Sequence, residues 1–104
     1  MKNRISALLL GTAMALSIAS IASADDKVVK IGVLSDQSGL YADLGGPGST
    51  LAAQMAIEDS GLLAKGWKID LISADHQNKP DVATGIVRNW IDNKGVDVIA
   101  EGVN

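Results

Sequence analysis

Val28-Val29-Lys30-Ile31-Gly32-Val33-Leu34 is the stretch on which the fold turns. It is β-branched and mostly apolar, so it reads as a strand buried on both faces, as strands of a parallel sheet are. Downstream, Ser35 to Gly46 is a loop with Gly39, Gly45 and Gly46 as turn formers. Pro47 suits a first helical turn, where its missing N–H costs nothing. From there to Asp59, Leu51, Ala52, Met55 and Ala56 recur at three- and four-residue spacing, which predicts a helix whose alanines lie close to the sheet. Gly61 marks its stop. Trp67 to Ala74 alternates, with Trp67, Ile69 and Leu71 on one face, and predicts a second, more exposed strand. After the polar run Asp75 to Lys79, Pro80 opens a second helix with Val82, Ile86, Val87, Trp90 and Ile91 as its apolar stripe, ended by Gly95. Val96 to Ala100 is a third strand.

The order is therefore β-α-β-α-β with short connections, the start of an α/β doubly wound parallel sheet with right-handed crossovers. The most apolar strand belongs in the middle, giving the order second, first, third. The chain changes direction between the first and third strands, and ligands of such sheets bind there, beyond the carboxyl ends. The flanking loops are Ser35–Gly46 and 101–104. The third strand would be an open edge, so the expectation is the N-terminal part of a longer protein. A complete small domain is the alternative, but 80 residues bury only about 60–65% of their surface and the chain has no cysteine to staple it.

Those 80 residues are what remains of 104 after the first 24, which have a different character. Lys2 and Arg4 precede an uncharged run of 17 residues from Ile5 to Ile21, then Ala22-Ser23-Ala24 and Asp25-Asp26. This is the pattern of a secretory signal peptide, cleaved between Ala24 and Asp25. A retained anchor is the rival, but the run is short of the roughly 20 residues that span a bilayer. With no cysteine at the cleavage point, lipid attachment there is excluded. The expected product is periplasmic, soluble and without stable membrane insertion. It carries 7 basic residues (9 less Lys2 and Arg4) against 12 acidic ones, a net charge of −5. That balance argues against nucleic acid and anionic lipid as partners.

The residues from Lys30 onward resemble a known family. Lys30-Ile-Gly-Val-Leu-Ser-Asp-Gln-Ser-Gly-Leu-Tyr-Ala-Asp43, Gly45-Gly-Pro-Gly-Ser49 and Ala52-Ala-Gln-Met-Ala-Ile-Glu-Asp59 are similar to the opening of the branched-chain amino-acid-type (type I) periplasmic binding proteins of ABC importers. The likeness continues through Gly66-Trp-Lys-Ile69, Ser73-Ala-Asp-His-Gln-Asn-Lys-Pro-Asp81, Trp90-Ile-Asp92 and Gly95-Val-Asp-Val-Ile99, over essentially all of the mature part. It implies two α/β lobes that close on a ligand, of which residues 25–104 are the first half of the first. It also implies that hydroxyls and backbone N–H groups just after the third strand hold the ligand's carboxylate. That loop begins at Glu101-Gly102-Val103-Asn104, and the serines or threonines expected next lie beyond the sequence.

The candidate ligand-binding residues are accordingly Tyr41, Ser38, Val103 and Asn104. Tyr41 offers a ring and a hydroxyl at the crevice. Ser38 offers a hydroxyl, with turn duty as its competing role. Asp36 is read as a loop organiser. Backbone N–H groups near Val103 and Asn104 suit an anion at a strand-to-helix turn. Gly46-Pro47-Gly48-Ser49-Thr50 is not a phosphate loop: it lacks the lysine, and Leu51 stands where a dinucleotide fingerprint needs glycine. Its glycines are expected to let the helix start approach neighbouring backbone. His76 has no Cys, His or Glu near it, so surface or turn duty is expected and no metal. No Ser-His-Asp or Cys-His arrangement can be argued, and no cofactor is expected. Trp67 and Trp90 read as core.

The resulting expectation is a binding protein, not an enzyme. It captures an amino acid or related carboxylate or amide and delivers it to an ABC importer membrane permease. Two alternatives share the topology. One is an exported sensory domain. The other is a flavodoxin-like or receiver domain, for which Asp36, Asp75 and Glu101 stand near strand ends.

Overall fold

The computed structural model describes residues 26–101, with only the backbone of Glu101. The expected cleavage site at Ala24 and Asp25 and the candidate residues Val103 and Asn104 lie outside the described residues.

Strand β1 (Val28–Ser35) is central, flanked by β2 (Lys68–Asp75) and β3 (Val98–Glu101) in the order β2-β1-β3. Both pairings are parallel, β2 from Val28↔Lys68 to Ser35↔Asp75 and β3 from Ile31↔Val98 to Leu34↔Glu101. The apolar run thus takes the position its composition demands: Val33 and Leu34 are core residues, and burial continues through Ser35 and Asp36. Lys30 and Asp97 lock the entry to β3, the Asp97 N–H donating to the Lys30 carbonyl at 2.9 Å and the Lys30 N–H to Asp97 Oδ2 at 2.9 Å.

The crossovers from β1 to β2 and from β2 to β3 run in opposite directions across the sheet, so right-handedness lays their helices on opposite faces. Helix α2 (Pro47–Asp59) follows a short helix α1 (Ala42–Gly45) and lies over the face that carries Ile31 and Ile69. The other face receives α3 (Pro80–Asn89), which runs on into a wide π-turn, Trp90–Lys94. Trp90 is 6% exposed and its ring lies against Gly32. A Cβ at Gly32 would come within 2.5 Å of Trp90 Cε3, so only glycine lets the indole reach the sheet.

Three expectations need correction. The α2 stripe is rotated: Leu51, Ala52, Met55 and Ala56 are exposed, while Ile57 is buried and Thr50 and Ala53 half-buried. Alanines and apolar residues occur all round this helix, so their spacing did not single out one face. Ile91 is 58% exposed. The π-turn carries it off the α3 stripe, since a wider turn breaks the 3.6-residue repeat. The third strand begins at Val98, because the Val96 N–H completes the preceding turn by donating to the Trp90 carbonyl at 3.2 Å. Of the two glycines at this helix start, Gly46 makes the expected close approach, where a Cβ would meet the Asp36 carbonyl oxygen at 2.9 Å, whereas Gly48 faces open space. Trp67 is half-buried and precedes β2 by one residue.

Candidate ligand-binding site

At the carboxyl ends of β1 and β2 the chain leaves the sheet in two loops, residues 36–41 and 76–79, and buried or bonded carboxylates shape both. Asp36 is 1% exposed. Its Oδ1 accepts the Gly39 N–H at 2.7 Å and its Oδ2 the Tyr41 N–H at 3.0 Å. A short acidic side chain can reach donors a few residues ahead in this way, folding the loop into a turn. The role of loop organiser is therefore what the geometry gives Asp36. Tyr41 follows as the N-cap of α1 and is half-buried.

Ser38 is exposed, and its hydroxyl donates to Asp75 Oδ2 at 2.6 Å. Asp75 Oδ1 accepts two backbone N–H groups, from Gln37 at 2.9 Å and from Gln77 at 2.8 Å. Gln37 adds a bond from Nε2 to the Ala74 carbonyl at 3.2 Å. These donors hold the Asp75 carboxyl below its ordinary value: first the Ser38 hydroxyl, then the Gln37 N–H, with smaller help from Gln77 and the neighbouring His76 against a desolvation effect. The parallel pair Ser35↔Asp75 brings this carboxylate beside the loop that leaves β1. Reading the sequence strand by strand gave Asp75 no such role. Its place as the last residue of a strand adjacent to β1 was the available signal.

His76 is 1% exposed, which corrects the surface reading. Its turn duty is real: Nδ1 accepts the Asn78 N–H at 3.0 Å. In the neutral ring the proton then sits on Nε2, which is buried without a partner among the described residues. Gln77 and Asn78, at φ 56° and 54°, form the left-handed turn that these bonds close before α3.

The expected crevice lies between the ends of β1 and β3. Tyr41 and Ser38 both stand in the loop that leaves β1, but the Ser38 hydroxyl is bonded to Asp75 at the end of β2, the strand on the other side of β1 from β3, which is the turn duty weighed for it. A hollow of about 480 Å³ lies on the other side of this loop, between the start of α2 and β2, lined by Gln37 of the loop and by Thr50, Gln54, Leu71 and Ser73. We take the loop rather than this hollow as the candidate site, because the hollow is an open flank of the sheet away from the switch in strand order. Among the described residues no three His, Cys, Asp or Glu side chains gather as metal ligands would, and no helix is long and apolar enough to cross a membrane. The carboxylates of Asp36 and Asp75 are both occupied by loop donors, so they do not form the open acidic pocket a receiver domain needs.

A parallel sheet of this order, with its first loop fixed by carboxylates at the ends of β1 and β2, is the start of an open doubly wound α/β lobe. The sequence profile of the family described as periplasmic binding protein matches residues 28–104. Two solved structures are similar. A branched chain amino acid ABC transporter periplasmic ligand-binding protein from Burkholderia xenovorans is 54% identical with a TM-score of 0.64, over 68% of this chain and 19% of its own. A periplasmic binding protein from Burkholderia mallei is 45% identical with a TM-score of 0.69, over 75% of this chain and 21% of its own. The chain therefore spans about a fifth of the length of each. No curated protein sequence matches it. The chain belongs to the periplasmic binding protein family.

Proposed function

We propose that this chain is the opening of an exported solute-binding protein that captures an amino acid or related organic carboxylate and hands it to the membrane permease of an ABC importer. The observation that carries the reading is the loop 36–41, folded by Asp36 so that it leaves β1 at the switch point with Tyr41 at its end. The name of the 54%-identical neighbour, a branched chain amino acid transporter's ligand-binding protein, supports the ligand class. Residues 1–24 act as the signal peptide and residue 25 opens the first lobe. Tyr41 and Ser38 contact the ligand from one side of the crevice, and backbone N–H groups at Val103 and Asn104 begin the cradle for its carboxylate.

The mechanism is physical and involves no bond chemistry. A ligand that touches two lobes favours the closed state by its differential contacts, and the permease then reads closure. Calorimetric titration of the full two-lobed protein with the standard amino acids tests the reading. Saturable heat with at least one of them is expected; silence throughout the millimolar range counts against it. Mass spectrometry of the exported protein should find Asp25 at the N-terminus, and Met1 there would refute the leader.

A further inference from the structure

We propose that Asp75, a residue of β2 outside the crevice, is a positioning residue for ligand capture: its carboxylate holds the loop that carries Ser38 and Tyr41 from the neighbouring strand. The inference rests on the proposed binding site and adds a part to it.

The loop 36–41 is fastened in two halves. Asp36 fastens the second half, at Gly39 and Tyr41, from within the loop. The first half, Gln37 and Ser38, is fastened by the end of β2. Asp75 takes the Gln37 N–H at 2.9 Å and the Ser38 hydroxyl at 2.6 Å, and the Ala74 carbonyl takes Gln37 Nε2 at 3.2 Å. The same carboxylate holds Gln77 at 2.8 Å, so one side chain couples the loops leaving β1 and β2. The main chain adds the end of the β1–β2 ladder at Ser35↔Asp75 and, just past it, the bond from the His76 N–H to the Ser35 carbonyl at 3.0 Å. Asp75 therefore sets where the first half of the loop stands relative to the sheet, and through it where Tyr41 begins.

The chemistry sets a sharp test. Asp75 receives two N–H groups on one oxygen and a hydroxyl on the other. An asparagine can reproduce this arrangement, because its Oδ1 accepts both N–H groups and its Nδ2 donates to a reversed Ser38 hydroxyl. Alanine reproduces nothing. In the two-lobed protein, with the standard amino acids as probes and at a temperature where every variant is fully folded by circular dichroism, Asp75→Ala should weaken binding by about tenfold or more, the loss expected for charge-assisted bonds that fix a binding loop. Asp75→Asn should recover most of that loss. A merely structural role would lower melting temperature in both variants and leave the affinity of the folded protein unchanged. Hydrogen exchange of the ligand-free protein supplies a readout that needs no ligand: in Asp75→Ala, amides 37–41 should exchange faster while those of β1 keep their protection, and Asp75→Asn should restore slow exchange. Wild-type affinity in folded Asp75→Ala, or unchanged exchange at 37–41, overturns the proposal. Failure of the unmutated protein to bind any probe would instead overturn the proposed ligand class, with the exchange result still deciding the role of Asp75.

Discussion

Two single residues show how little freedom this lobe has. Gly32 lies under the Trp90 ring, and a methyl group there would press on Cε3 at 2.5 Å. Gly32→Ala should therefore destabilise the protein by about 1–3 kcal/mol, the usual cost of overpacking a core, read as a lower urea midpoint with an unchanged slope. Asp75 behaves in the opposite sense, through charge. Its folded carboxyl titrates below the ordinary 3.8 because the Ser38 hydroxyl and the Gln37 N–H bond its ionised form. A group with a depressed folded value adds stability that is complete above the unfolded value and is lost as pH falls through the folded one. The stability of the unmutated protein over Asp75→Asn should thus be constant near neutrality and shrink only below that ordinary value. Urea melts of both proteins, stepped down through the acid range, check this; a gap that grew on acidification would contradict it.

At the scale of elements, α2 separates what the sequence tells from what it withholds. Its bounds, Pro47 and Asp59, were legible because proline can start a helix and Gly61 lies just beyond its end. Its buried face was not legible. Leu51 and Met55 are 62% and 54% exposed, whereas Ile57 is 8% exposed, and a helix with apolar residues all round yields its inner face only when the sheet is in place. Ile57→Ala should cost about 2–4 kcal/mol, and Met55→Ala less than about 0.5 kcal/mol; equal losses in thermal melts would restore the face expected from spacing. The strands were plainer. A run that is β-branched and mostly apolar fits the middle of a parallel sheet, and β1 lies there. In the site, Asp36 could be read as a turn former from its place between strand and glycine. Asp75 could not, because its partners Gln37 and Ser38 are 38 and 37 residues away in sequence and meet it only through the β1–β2 register. His76 escaped for a similar reason: a polar run in the sequence became, in space, a turn closed around a buried ring.

At the scale of the molecule, the two faces of the sheet are unequally covered. On the α2 side an apolar hollow of about 330 Å³ runs between the helix and the edge strand, lined by Ile31, Ala53, Ala56, Ile57, Val98 and Ala100 among others. Val98 is 50% exposed there. A right-handed crossover leaving β3 on the side away from β1 lays its helix on the α3 face, so the element next in sequence would not close this hollow. In a protein as long as the solved neighbours, of which this chain spans about a fifth, the expectation is that later chain returns to cover it. The substitution Val98→Lys distinguishes the two situations. In a two-lobed protein it places a charge under that cover and should cost about 2–4 kcal/mol, as burying an unpaired charge does after partial relaxation. In residues 25–104 expressed alone, the same lysine meets water and should change stability by less than about 0.5 kcal/mol, while the unsubstituted fragment binds an apolar fluorescent dye at the open hollow. Equal effects of Val98→Lys in both proteins would mean that the hollow stays open to solvent and that no returning segment packs on the α2 face.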